Sequence, residues 1–174
     1  MTDPHQDDDV LERLNEQEGP RGFFLEAVTL LEEAVDSLIR KAFRQEEYAV
    51  KYAIEPLMTQ SGPLGQLEVR LKLILALGLI SLELYEDLEV YLKIRDMLFR
   101  DPKDYRFSDK PVRDLLDRLH GVNLAGMVTL EPPAADEEWS FYQMQLARQD
   151  QIVRSALVLA VSDCVSELRK ESPI

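Results

Sequence analysis

Residues Gly22 to Phe43 read GFFLEAVTLLEEAVDSLIRKAF, and this stretch decides the fold class. No further glycine and no proline follow Gly22 within it. Apolar residues recur at steps of three and four, the period of one helix face, at Phe24, Ala27, Val28, Leu31, Ala34, Val35, Leu38, Ile39 and Ala42. The pattern predicts a long amphipathic helix that buries one stripe against neighbouring helices.

Similar periods and helix start and stop signals recur along the rest of the chain. Ser81 is a good N-cap, and Asp101-Pro102 and Gly19-Pro20 are typical helix stops. The further predicted helices span residues 9–16, 46–54, 64–79, 82–99, 108–119 and 139–170. Pro56 is expected to break the chain after the second of these.

Two of these helices are expected to lie deep in the protein. Residues 64–79 are rich in leucine and read as a central, mostly buried helix. Residues 152–165 are apolar nearly all the way round, as a helix in the middle of a bundle should be. We therefore expect an all-α, single-domain bundle of about six or seven helices with a long C-terminal helix.

The amino-acid composition agrees with an all-α fold and indicates where the folded domain begins. The chain has 174 residues, 45% hydrophobic and 30% charged, with only 7 glycines, which disfavours a turn-rich β protein. Residues 1–9 are acidic and poor in apolar groups, so they read as a flexible tail. Residues 10–174 are then expected to form a single helical domain.

The charge balance is acidic, with 20 Lys and Arg against 33 Asp and Glu, a net charge of −13. Such a surface repels a phosphate backbone, so direct DNA binding is doubtful. Cys164 is the only cysteine, which excludes an internal disulfide and a cysteine-cluster metal site. The acidic N-terminus and the absence of a long apolar run favour a cytoplasmic protein without a membrane anchor.

Few side chains in the sequence suit catalysis or metal binding. The histidines are His5, in the predicted tail, and His120. His120 lies just before Gly121, where an imidazolium is expected to cap a helix C-terminus. No catalytic residue, cofactor or metal is therefore predicted.

Arg70 and Arg95 stand out because each interrupts a leucine-rich helix face. A buried arginine needs a carboxylate partner, so both are expected to be largely buried and paired in an internal polar network. Such a network is more often structural than catalytic, but it is the first place to look for an anion pocket. The candidate partners are Glu55, Glu68, Tyr85, Glu86 and Asp96.

Four segments carry a family resemblance: YAVKYAIEPL (48–57), GPLGQLEVRLKL (62–73), LGLI (77–80) and YED (85–87). Together they resemble the mannitol operon repressor (MtlR) family, from about Leu11 through the final helix. The motif residues are Tyr48, Tyr52, Glu55, Pro56, Gly62, Pro63, Gly65 and Tyr85. The resemblance implies regulation of the genes for mannitol phosphotransferase uptake and mannitol phosphate dehydrogenase. A related branch of the family is named for fumarate hydratase activity.

Residues 79–100 also resemble the helical HEPN pattern, in which an Arg-x4-His spacing serves RNA cleavage. Here Arg95 is followed by Arg100 at the histidine position. Because this removes the general acid or base, ribonuclease activity is not expected. A weak anion or RNA contact by Arg95 and Arg100 is left open.

These observations leave three hypotheses about the function of the protein. The preferred hypothesis is a repressor of the mannitol operon that binds a protein partner of the uptake or transcription machinery through an exposed helical surface. Direct operator binding is the second. A dicarboxylate hydratase is the third, with His120 as its proton-transfer group by elimination. The sequence does not identify the partner, and it leaves a homodimer open.

Overall fold

The computed structural model describes residues 4–43 and 45–170, and within them the chain forms helices and no strand. The all-α prediction, including the long C-terminal helix, is confirmed. Residues 171–174, the end of the predicted domain, lie outside the described residues. The helices are α1 (Pro4–Asn15), α2 (Pro20–Ala42), α3 (Glu47–Ala49), a π-helical turn (Val50–Ile54), α4 (Glu55–Met58), α5 (Leu67–Ala76), α6 (Leu82–Arg100), α7 (Lys110–Leu116), a 3₁₀ turn (Asp136–Glu138) and α8 (Trp139–Arg169).

Helix α2 forms the centre of the bundle and packs against α1, α5, α6 and α8. Phe23 and Phe24 in its first turns are fully buried with Phe107 from the α6–α7 connection. The Phe23 ring meets the rings of Phe24 and Phe107 edge to face, with centroids 5.4 Å apart in both pairs. This aromatic cluster joins the start of α2 to the connection before α7.

Helix α1 begins at Pro4, whereas the sequence predicts a tail over residues 1–9. Residues 4–9 are therefore helical, and residues 1–3 lie outside the described part of the chain. Val10 and Leu14 are buried, which anchors α1 to the core. Arg13 fixes it further, because its Nε donates to Glu26 of α2 at 2.6 Å and its Nη1 to Glu33 at 2.9 Å.

The segment from α3 to α4 is one continuous helical stretch with a π turn in its middle. Pro56 does not break it as predicted, because it directly follows the π turn, which already departs from the regular α-helical bonding that a proline disrupts. The following turn is tight, with the Leu64 N–H donating to the Leu57 carbonyl at 2.9 Å.

Helix α5 is peripheral, so the prediction of a central, mostly buried helix is wrong. It buries one face only, through Leu67, Arg70, Leu71 and Ile74. Gly78 ends it with a φ of 71°, and the Leu79 N–H reaches back to the Ile74 carbonyl at 2.9 Å. This left-handed glycine cap explains why the helix stops before Leu79.

Helix α8 packs against α1 and α2 on one face only. Val153, Leu157 and Val161 are buried on that face. On the opposite face Ile152 is 50% exposed and Leu159 is 64% exposed, so the prediction of a helix buried on all sides is wrong. Among the described residues, no helix combines the length and apolarity needed to cross a bilayer.

Candidate functional site

Arg70 is the most buried charged side chain that the structure describes, with 4% of its surface exposed. Its Nη1 donates to Asp36, and its Nη2 donates to Glu32 at 2.7 Å and to the Gly65 carbonyl at 3.2 Å. Its predicted burial and pairing are therefore observed, but its carboxylate partners lie on α2 and are not among those proposed from the sequence. Arg70 clamps α5 and the preceding turn to α2, which is a structural role.

Arg95 differs from Arg70, because it is only partly buried and its side chain is 25% exposed. It pairs with the neighbouring Asp96 at 2.9 Å. Arg100 is exposed at the end of α6, beside an open depression that Asp96 also lines. The predicted burial of Arg95 is wrong, and Arg70 and Arg95 bind different carboxylates rather than sharing one network.

His120 lies beside a buried carboxylate of α6. The Asp87 carboxylate accepts the His120 backbone N–H at 2.9 Å and lies 2.8 Å from Nδ1. The exposed Glu86 lies 3.4 Å from Nε2. The hydrogen bond with Asp87 raises the pKa of His120 above its ordinary value. Since α7 ends at Leu116, the predicted capping role of His120 is wrong.

An imidazole held by a carboxylate can act as a general base, but its surroundings here do not suit a dianionic substrate. Glu83 and Glu86 contribute negative charge beside the ring. The nearby Cys164 is buried, and burial raises the pKa of its thiol to about 12, so it is not a thiolate nucleophile. Among the side chains that the structure describes, no group of three His, Cys, Asp or Glu is placed to hold a metal.

The motif residues near the π turn form an exposed surface together with Lys51. We call it the tyrosine surface and define it by Tyr48, Lys51, Tyr52, Glu55 and Pro56. All five are exposed, Tyr52 to 76%. The Lys51 ammonium lies 5.7 Å from the centroid of the Tyr52 ring. Core packing does not account for these aromatic residues, and exposed tyrosines are enriched at protein interfaces.

The other motif residues have local structural roles. Gly62 and Gly65 form the turn after α4, and Gly62 borders the same open depression as Lys51, Glu55 and Pro56. Pro63 is exposed in that turn. The half-buried Tyr85 donates its hydroxyl to Glu89 at 2.8 Å, and this bond raises the pKa of Tyr85.

The acidic partners of Arg70 and His120 were not predicted from the sequence. Asp87 shares the buried face of α6 with Leu84, Leu88 and Tyr91. An acidic residue within an apolar stripe can be recognised in the sequence and indicates a buried carboxylate that needs a partner. Glu32 and Asp36 are four residues apart on α2, so they face the same neighbour. That neighbour could not be recognised from local spacing, because Arg70 comes more than thirty residues later.

The bundle and its exposed motif define an all-α protein that carries aromatic residues on its surface. The Mannitol repressor (MtlR) family model matches residues 6–169, and the chain therefore belongs to this family. It is 44% identical over 161 residues to the mannitol operon repressor of Escherichia coli K12, covering 91% of this chain and 80% of that protein. It is also 31% identical over 163 residues to Fumarase E of the same strain, covering 93% and 96% of the two chains.

A solved structure agrees with this assignment. The crystal structure of the MtlR–HPr complex from Escherichia coli superposes with a TM-score of 0.82 at 41% identity. The match covers 93% of this chain and 97% of that one. The resemblance found in the sequence is therefore confirmed.

Proposed function

We propose that this chain is a helical regulatory domain that represses a mannitol phosphotransferase operon by binding a protein partner rather than operator DNA. The observation that carries the proposal is the exposure of the tyrosine surface, since these residues of the family motif face solvent. The Escherichia coli relative that forms a complex with HPr, a phosphotransferase-system component, supports a partner of the same kind.

Several arginine side chains are bonded to other groups of the protein, and this also favours a protein partner over DNA. Arg13 and Arg70 pair with carboxylates of α2, and Arg21 donates to the Asp101 carbonyl at 3.0 Å. Arg154 donates to the Asn15 carbonyl at 2.9 Å. Guanidinium groups engaged in this way are not free for phosphate contacts, and the net charge of −13 opposes the duplex. Direct operator binding therefore has less support than a protein partner.

Within this proposal, the tyrosine surface contacts the partner. Tyr48 and Tyr52 lie one helical turn apart, and each offers an apolar ring with a hydroxyl at its edge. Such side chains lose little conformational entropy when they are covered, which makes them effective interface anchors. Lys51 and Glu55 add a charge of each sign at the same place.

We expect purified protein to bind Escherichia coli HPr in isothermal titration calorimetry, and Tyr52→Ala to weaken that binding about tenfold. The matched control is Phe99→Ala, which truncates an exposed aromatic residue on α6 and should leave the affinity unchanged. A mobility-shift titration with the mannitol operator at physiological salt should show no specific complex. Operator retention without other factors, or no HPr binding by the unmodified chain, would contradict the proposed function.

The Fumarase E relative motivates a second candidate, a hydratase that uses the Asp87–His120 pair. Because carboxylates surround His120, we expect no conversion of fumarate to malate by the purified protein. The measurement is fumarate absorbance, with His120→Ala as the paired variant. Activity that disappears in this variant while its melting temperature is unchanged would establish the hydratase instead.

A further inference from the structure

The outward face of α8 carries an apolar stripe that no described element covers. We call it the outer stripe and define it by Phe141, Met144, Ile152 and Leu159, all exposed. At 3.6 residues per turn these positions fall on one side of the helix, opposite the buried Val153, Leu157 and Val161. The outer stripe extends over about 27 Å, long enough for another helix to lie along it.

We propose that the outer stripe is a dimer interface, in which α8 packs antiparallel against α8 of a second copy of this chain. The central part of the stripe is self-complementary about the point between Ser155 and Ala156, and Phe141 and Met144 lie outside this symmetric part. Ile152 and Leu159 lie equally far from that point on opposite sides. A two-fold axis there sets Ile152 against the partner's Leu159, and the same contact forms twice, as an isologous interface requires.

Two charged residues on this face follow the same symmetry. Arg148 and Asp163 are also equally far from the midpoint, one on each side. Both are exposed, and neither forms a hydrogen bond or ion pair within the described part of the chain. The two-fold arrangement places Arg148 opposite the partner's Asp163 on either side of the central Ile152 and Leu159 contacts. This complementarity is why a second copy, rather than an unrelated partner, fits the stripe.

Small residues at the midpoint allow the two helices to approach closely. Ser155 and Ala156 would lie at the crossing point, with the larger Ile152 and Leu159 on either side. One helical stripe buries less than the roughly 800 Å² per partner of a standard interface. The dimer is therefore expected to be reversible and to dissociate on dilution.

Sedimentation velocity of the full chain, from micromolar to submillimolar concentration, tests the proposal. The unmodified protein should shift from monomer to dimer with rising concentration. Leu159→Glu should raise the dissociation constant at least about tenfold, since it buries an unpaired charge twice. Phe99→Glu, at an exposed aromatic residue on another helix, is the matched control and should leave the dimer unchanged.

A charge exchange distinguishes this dimer from any other association. Arg148→Asp alone and Asp163→Arg alone should each weaken the dimer, because each sets like charges opposite one another twice. The double variant restores opposite charges and should recover the original dissociation constant. A chain that stays monomeric, or a dimer that responds equally to the single and double variants, would overturn the proposal. Circular dichroism melts confirm that each variant is folded.

Discussion

Replacing Arg70 with leucine will lower the free energy of unfolding by about 3 kcal/mol. The guanidinium is buried and binds Glu32, Asp36 and the Gly65 carbonyl, so one substitution removes bonds to three groups. It also leaves two carboxylates four residues apart on α2 without their shared cation, and like charges at that spacing repel. The partial exposure of both carboxylates keeps the cost below that of a fully buried pair.

Urea denaturation followed by circular dichroism measures this loss, and Arg95→Leu is the matched control. Arg95 is partly exposed and pairs with its own neighbour Asp96, so the same substitution there should cost less than about 1 kcal/mol. Adding Glu32→Gln and Asp36→Asn to Arg70→Leu should recover part of the stability. Equal losses for the two arginine variants would show that the Arg70 clamp contributes nothing beyond an ordinary surface pair.

Arg70 and Arg95 show which part of the burial of arginine side chains the sequence predicts and which part it does not. Arg70 and Arg95 each interrupt an apolar face, and the sequence predicts the same burial for both. Only Arg70 faces another helix that supplies carboxylates, namely α2. Which residue of an apolar face meets a neighbour depends on how helices are arranged in space, and local periodicity carries no information about that arrangement.

Helix boundaries with local signals could be predicted well. Ser81 caps α6 as expected, its side chain accepting the Leu84 N–H at 3.2 Å, and Asp101-Pro102 follows the end of that helix. Burial was harder to predict for α8, because its apolar residues surround the helix while its neighbours cover one face. The apolar residues of the exposed outer stripe therefore show the same sequence pattern as those of a buried helix face.

The exposure of the tyrosine surface also could not be predicted from local sequence patterns. The sequence identified Tyr48, Tyr52, Glu55 and Pro56 through a resemblance, without indicating whether they lie inside or outside the protein. The π turn at residues 50–54 shifts the helical register, and a continuous α-helical reading does not anticipate that shift. Their exposure becomes evident only from the packing of the segment.

Replacing Gly62 with alanine will destabilise the protein by about 2 to 3 kcal/mol. A Cβ at this position would collide with the backbone oxygens of Pro56 and Leu57, the latter at 2.5 Å. These atoms belong to the last turn of α4, so a flexible side chain cannot simply move aside. The turn must open, which strains the bond from the Leu64 N–H to the Leu57 carbonyl.

Thermal unfolding compares Gly62→Ala with Gly121→Ala, at a glycine where an added methyl group would meet no atom within 4 Å. The control should change stability by less than about 0.5 kcal/mol, since it introduces no contact. Both substitutions reduce the freedom of the unfolded chain to the same degree, so their difference isolates the collision in the folded state. Matching melting temperatures for the two variants would mean that the turn accommodates a methyl group, and that close backbone packing is not what requires glycine at position 62.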